Sequence, residues 1–152
     1  MPPFNFLRSI YTNFGLHSER NAFFIKGKYY TYRDLSRKVS RIRQALLNDY
    51  PDERYVGVVL NDDLWTYASI LALWLSGYAF VPVNPLFPPE RNRSIINQVR
   101  LKLLLYSSLK GIGEPVYASL NTINTSELPE AGTDLPAWKD PDPESDLYVL
   151  FT

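Results

Sequence analysis

The sequence has no cysteine and a single histidine, His17. The lack of cysteine excludes disulfide bonds, thiolate nucleophiles and cysteine-based metal sites. It is also typical of a reducing compartment, so we expect a cytoplasmic location. One histidine without clustered carboxylates beside it in the sequence argues against a metal site or a histidine-based catalytic triad. His17 is therefore predicted to be a surface loop residue.

An excess of charge of one sign is also lacking, because 16 basic and 16 acidic side chains cancel. No overall field directs such a protein toward nucleic acid or an anionic membrane, and we expect neither as a partner. The one long apolar stretch, Leu64 to Leu75, is shorter than the roughly 20 residues of a membrane span, so it predicts a buried helix. No secretory signal is visible after Met1.

Glycine-rich nucleotide-binding motifs are missing as well. No G-x-G-x-x-G sequence follows a predicted strand, and no complete P-loop is present. These absences argue against a dinucleotide-binding fingerprint.

Hydrophobic residues make up 45% of the 152 residues and aromatic residues 14%, which indicates one folded domain. Helical spacing from Phe6 to Phe14 predicts a first helix that is capped near Gly15. A hairpin is predicted around Lys26-Gly27-Lys28. Thr31 and Asp34 then fit the capping box of a second helix.

Strands and helices alternate three times in the next part of the chain, and such alternation predicts a mainly parallel sheet with helices on both faces. We therefore expect an α/β subdomain over residues 1–109. Its predicted elements after the hairpin and second helix are a strand at 56–60, a helix at 64–76, a strand at 79–83, a helix that starts at 88–90, and a strand at 103–106.

Residues 110–152 are predicted to be an irregular acidic, proline-rich connection, with a weak strand near Pro115 to Leu120. Seven acidic residues and four prolines lie between Glu127 and Asp146, a composition typical of linkers. The last residues, Leu147 to Phe151, form an apolar pattern that predicts a buried strand. Because ligands bind at the carboxyl ends of strands in open α/β sheets, we expect the chain to stop just before an active site.

Two other groups of residues have a functional and a structural interpretation. The basic helix face from Arg37 to Arg43 could meet a phosphate or an acidic partner, but a solvated helix surface is the favoured interpretation. Aromatic side chains on the apolar helix could line a pocket, although their spacing favours the core. They are Trp65, Tyr67, Trp74 and Tyr78.

Three segments resemble boxes of the adenylate-forming (AMP-binding) ligase superfamily. The sequence LSGYAFVPVNP from Leu75 to Pro85, followed by FPPER, is similar to the family's L-x-x-G-x-x-[YF]-V-P-[LVI] box and its P-x-E-R. Gly77 would end the helix, and Pro82 would end the strand ladder. TYRDL from Thr31 resembles T-Y-x-[ED]-L. LYVLFT, ending at Thr152, resembles the strand that leads into the phosphate-binding T-S-G-[ST]-T-G loop.

The resemblance implies an N-terminal part of a ligase that uses ATP and Mg²⁺ to activate a carboxylate as an acyl-adenylate. A carrier-protein phosphopantetheine or CoA thiol then accepts the acyl group. Thr152 matches the first threonine of the phosphate loop, which makes it the one expected ATP-binding residue. The family's catalytic lysine, metal-binding carboxylate and substrate pocket would lie in the remainder of the chain, so we predict no catalytic or metal-binding residue here and no activity alone.

The boxes resemble those of amino-acid-activating members most, including the freestanding D-alanine carrier-protein ligases. Asn84-Pro85 instead resembles acyl-CoA synthetases, so a fragment of that branch is an alternative. A small α/β module for binding or interaction, without catalysis, is another. Such a module would need cover for its last strand, and no residue after Phe151 provides it.

Overall fold

The computed structural model describes residues 5–108, 110, 115–132, 135 and 137–152. Its elements follow the predicted alternation closely. The helices are α1 (Asn5–Leu16), α2 (Tyr32–Asp49), α3 (Leu64–Ser76) and α4 (Pro89–Val99). The strands are β1 (Asn21–Ile25), β2 (Lys28–Thr31), β3 (Tyr55–Val59), β4 (Ala79–Val83), β5 (Leu103–Tyr106) and β6 (Asn121–Asn124).

The strands form two separate sheets. Strands β1 and β2 make an antiparallel hairpin, and the other four form a parallel sheet in the order β4-β3-β5-β6. Chain order and spatial order differ, because the chain leaves β3 toward β4 on one side and then returns to β5 on the other side. This is the doubly wound arrangement that the alternation predicts.

Helices cover both faces of the parallel sheet, as predicted. On one face, Val56 and Val58 of β3 pack in a core with residues of α1, α2 and α3. On the other face, Val59 packs with Ile95 and Ile96 of α4. The period of two along β3 therefore divides the apolar interior into two cores. None of the helices in the described ranges combines the length and the apolar content needed to cross a membrane.

Local signals begin and end α3. At the start of α3, the Asp63 carboxylate accepts a hydrogen bond from the amide of Thr66 at 2.8 Å. At its end, Gly77 has φ of 84° and caps the helix in the left-handed region, where a side chain would be strained. The predicted cap at Gly15 is wrong, because α1 continues to Leu16 and the left-handed glycines among the described residues are Gly27 and Gly77.

The capping box of α2 is confirmed. The amide of Asp34 donates to Thr31 Oγ1 at 3.2 Å, and the amide of Thr31 donates to Asp34 Oδ2 at 2.9 Å. We expect Thr31→Ala to lower the free energy of unfolding by about 1 kcal/mol, because one amide at the helix start loses its acceptor. Urea unfolding of Thr31→Ala, Asp34→Ala and the double variant measures this. Losses that add without coupling would contradict a reciprocal box.

The region after β5 differs from the prediction in two respects. The weak strand expected near Pro115 to Leu120 is instead a turn of 3-10 helix at Pro115–Tyr117, and the strand, β6, begins at Asn121. Because β6 pairs with β5, the sheet continues past the predicted boundary at residue 109. Leu109 itself lies outside the described residues.

Candidate functional site

The last residues of the chain run parallel to the outer edge of β4. The Phe80 amide donates to the Leu147 carbonyl at 3.0 Å, and the Val149 amide donates to the Phe80 carbonyl at 3.1 Å. These bonds form one isolated parallel bridge between Phe80 and Tyr148. We call residues 147–152 the terminal segment.

The prediction of a buried strand at Leu147 to Phe151 is wrong. Tyr148 is 53% exposed and Leu150 is 61% exposed. Only one side of the terminal segment lies against the sheet. Its pairing stops early because the next β4 residue that faces it is Pro82, which has no N–H to donate. Pro82 thus ends the ladder on this outer side, whereas β4 itself continues to Val83 and pairs with β3.

The register of the bridge locates Thr152. An extended continuation of this register would bring Thr152 level with Asn84, four residues after Phe80 and just beyond the carboxyl end of β4. Thr152 is exposed there. This extrapolation brings the residue that the sequence predicts to contact phosphate near the carboxyl end of the sheet, where parallel sheets often bind ligands.

A cleft of about 220 Å³ lies at the same edge of the sheet. Leu150 and Phe151 of the terminal segment form part of its wall, opposite the loop that follows β4. The remaining walls are formed by Leu60, Pro82, Asn84, Phe87, Arg91 and Ile95. The loop is held by Asn84, whose side-chain oxygen accepts from the Leu86 amide at 2.9 Å and whose carbonyl accepts from Asn92 Nδ2 at 2.9 Å.

Two contacts from distant parts of the chain hold the start of the terminal segment. The indole Nε1 of Trp74, on α3, donates to the Leu147 carbonyl at 2.8 Å. One residue earlier, Asp146 Oδ2 accepts from Arg54 Nη2 at 2.9 Å and from the Tyr55 hydroxyl at 3.0 Å. Neither contact was apparent from the sequence, although one signal for the Trp74 contact was present. The L-x-x-G pattern has leucine three residues before the glycine, and this chain has Trp74 there.

A second polar cluster lies between the carboxyl ends of β3 and β5, where the chain connections diverge. Asn61 Nδ2 donates to Ser107 Oγ at 3.2 Å, and Ser107 Oγ donates to Asp63 Oδ2 at 2.5 Å. The other oxygen of Asp63 caps α3. Divergence points of this kind often bind ligands. Here the polar groups hydrogen-bond to one another, so the cluster joins the start of α3 to the end of β5.

The aromatic residues in and just after α3 pack against the core, as favoured. Tyr78 is 3% exposed, and its hydroxyl donates to the Tyr50 carbonyl at 3.0 Å. Trp74 and Tyr67 are half-buried and also line a cleft of about 300 Å³ among α1, the hairpin, α2 and α3. Phe23 of the hairpin stacks on Tyr67 with ring centroids 4.9 Å apart.

The basic face of α2 is only partly solvated, which corrects the favoured interpretation. The Lys38 ammonium lies 4.3 Å from the centre of the Trp65 ring, and Arg41 forms an ion pair with Glu130. Burial lowers the pKa of Lys38 from its usual value, and the positive charge of Arg41 lowers it further. These contacts tie the linker and α3 to α2. His17 lies in the turn after α1 and is half-buried.

Within the described ranges, no three or more acidic or histidine side chains are grouped so that they could hold a metal ion. The geometry defines an α/β domain with its candidate site at the carboxyl end of a parallel sheet. Comparison with known proteins specifies the family, because a model of the AMP-binding enzyme family matches residues 12–152. The chain belongs to that family.

The curated relatives include nonribosomal peptide synthetases. Surfactin synthase subunit 2 of Bacillus subtilis is 35% identical over 101 residues, or 65% of this chain. Nonribosomal peptide synthetase 4 of Gibberella zeae is 30% identical over 130 residues, or 81% of this chain. The chain spans only 3% and 2% of the lengths of these two proteins.

Solved structures share the fold. The nonribosomal peptide synthetase FmoA3, with α-methyl-L-serine-AMP bound, superposes with a TM-score of 0.84 at 20% identity, over 96% of this chain and 17% of that chain. The N-terminal subdomain of NpsA from Klebsiella oxytoca superposes with a TM-score of 0.64 at 16% identity, over 82% of this chain and 34% of that chain. These likenesses confirm the predicted α/β class.

Proposed function

We propose that this chain is the N-terminal subdomain of an ATP-dependent ligase that converts a carboxylate into an acyl-adenylate and pyrophosphate. The observation that carries the proposal is the parallel register of Tyr148 with Phe80. It supports a role for Thr152 at the carboxyl edge of the sheet, where its hydroxyl and the amides after it would receive the ATP phosphates.

The site residues fit ATP only in part. Thr152 offers one hydroxyl, and the described residues provide no carboxylate cluster for Mg²⁺. The remainder of the chain would hold the metal ion, the ribose and the carboxylate substrate. Catalysis of phosphoryl-group chemistry depends mainly on such positioned charges, so the 152 residues alone are proposed to be inactive.

An amino acid is the proposed carboxylate. The relatives are peptide synthetases, which favours an amino-acid-activating enzyme and a carrier-protein phosphopantetheine as the acyl acceptor. CoA as acceptor, the acyl-CoA synthetase branch and the freestanding D-alanine ligase type stay predictions, and so does a cytoplasmic location.

Amino-acid-dependent exchange of labelled pyrophosphate into ATP tests the proposal. We expect no exchange above background from the 152-residue chain and clear exchange from the full-length protein with one or more of the 20 standard amino acids or D-alanine. The same assay with short-chain fatty acids tests the alternative, because exchange with these acids and not with amino acids would indicate the acyl-CoA synthetase branch.

Two outcomes of this assay would contradict the proposal. Exchange by the 152-residue chain would mean that its own residues complete a catalytic site. A full-length protein that folds and yet exchanges with no carboxylate would favour the non-catalytic binding module.

A further inference from the structure

The contact between α3 and the terminal segment depends on Trp74. Trp74 occupies the position where the L-x-x-G pattern has leucine, and a leucine could not donate a hydrogen bond. Its indole N–H reaches the Leu147 carbonyl at 2.8 Å across 73 residues of sequence. The same carbonyl accepts from the Phe80 amide at 3.0 Å, so Trp74 acts on the residue that begins the pairing with β4.

The indole ring is itself held in place by its neighbours. Phe6 of α1 meets the Trp74 ring edge-on with centroids 5.6 Å apart, and Phe80 of β4 meets it with centroids 5.8 Å apart. These two edge-on contacts favour one orientation of the indole ring and therefore of its N–H. Tyr148 contacts Phe80 in turn, with centroids 6.2 Å apart.

The segment needs such an anchor because its own ladder is short. Pro82 prevents further pairing with β4, and the outer side chains Tyr148 and Leu150 are exposed. The inner side chains, Leu147, Val149 and Phe151, pack on the cores but are only half-buried, and a partly buried face specifies the register less strongly than a fully buried one. A slip of one residue would move Thr152 by about 3.3 Å along the edge.

We propose that Trp74 is a positioning residue for the ATP phosphates: its indole N–H fixes the register of the terminal segment and thereby the location of Thr152. The proposal rests on the proposed function and adds a residue that does not contact the substrate. Asp146, the residue before Leu147, is held by an exposed ion pair to Arg54 and a hydrogen bond from Tyr55, and such exposed contacts contribute little stability.

The test compares Trp74→Phe with Trp65→Phe in the full-length protein. Trp74→Phe keeps a ring and removes the N–H, and Trp65→Phe makes the same chemical change on the same helix. Trp65 lies beneath Lys38 and has no part in the contact to Leu147. We expect Trp74→Phe to raise KM for ATP about threefold to tenfold, the effect of one lost hydrogen bond, and to leave KM for the carboxylate unchanged. Trp65→Phe should change neither constant.

Hydrogen exchange provides a readout that does not depend on activity. The amides of Phe80 and Val149, which form the bridge to the terminal segment, should exchange about threefold to tenfold faster in Trp74→Phe. The Leu104 amide in the centre of the sheet should not change.

Three results separate the possibilities. An unchanged KM for ATP in a folded Trp74→Phe protein overturns the positioning role while the proposed function stands. An equal rise in KM for ATP and for the carboxylate also overturns it, because that pattern indicates general loosening. A parent protein that does not exchange pyrophosphate into ATP contradicts the proposed function. In that case the amides still test Trp74, because unchanged hydrogen exchange at Phe80 and Val149 in Trp74→Phe would refute its role.

Discussion

Leu73→Asp is expected to abolish cooperative folding of the chain. Leu73 lies on α3 with no exposed surface, in the core that α1, α2 and α3 form over the parallel sheet. Removing the leucine side chain costs about 2 to 5 kcal/mol, and an unpaired carboxylate in that interior adds several more. The sum is comparable to the roughly 5 to 15 kcal/mol that holds a domain of this size together.

Urea and thermal unfolding, followed by circular dichroism, measure the effect. Leu86→Asp is the matched control, because Leu86 is 89% exposed in the loop after β4 and the chemical change is the same. We expect the control to unfold within about 0.5 kcal/mol of the parent. A Leu73→Asp protein with the parent's midpoint and solubility would show that α3 is not buried as described.

Thr152→Val is expected to lower kcat/KM for ATP by about tenfold to a hundredfold in the full-length protein. Valine has nearly the shape of threonine but no hydroxyl, and a lost hydrogen bond to a charged phosphate is worth about 1.5 to 3 kcal/mol. Because Thr152 is exposed at the end of the terminal segment, the melting temperature should change little. Steady-state kinetics with varied ATP at saturating carboxylate check the prediction.

Thr122→Val is the matched control, because it makes the same substitution far from the candidate site. Thr122 is exposed on β6, at the opposite edge of the sheet from the terminal segment. Its ATP kinetics should match those of the parent. Parent-like kinetics in Thr152→Val would mean that the terminal segment does not lead into a phosphate-binding loop, and the assignment of Thr152 would be wrong.

Helices with local signals at both ends could be predicted from sequence. The predicted bounds of α3, Leu64 to Ser76, agree with the structure. This agreement has a physical reason, because the cap at Asp63 and the left-handed Gly77 act on neighbouring residues and need no tertiary partner. The capping box at Thr31 and Asp34 was predictable for the same reason.

Strand β6 could not be predicted in this way. Asn121–Asn124 contains one apolar residue, Ile123, and therefore shows no strand pattern. It becomes a strand because β5 offers unpaired backbone groups along its edge, and the hydrogen bonds of a parallel pair come from residues far apart in the sequence.

The terminal segment divides what the sequence determined by itself from what only the tertiary structure decided. Its sequence determined the match to the strand before the family's phosphate loop and the expected extended conformation. The burial and register of the segment depend on residues in other elements. Pro82 of β4 stops its backbone pairing with β4, and Trp74 of α3 donates a hydrogen bond to the Leu147 carbonyl. Both effects act across a long loop of chain, so their residues come together only when the whole sheet and α3 have packed.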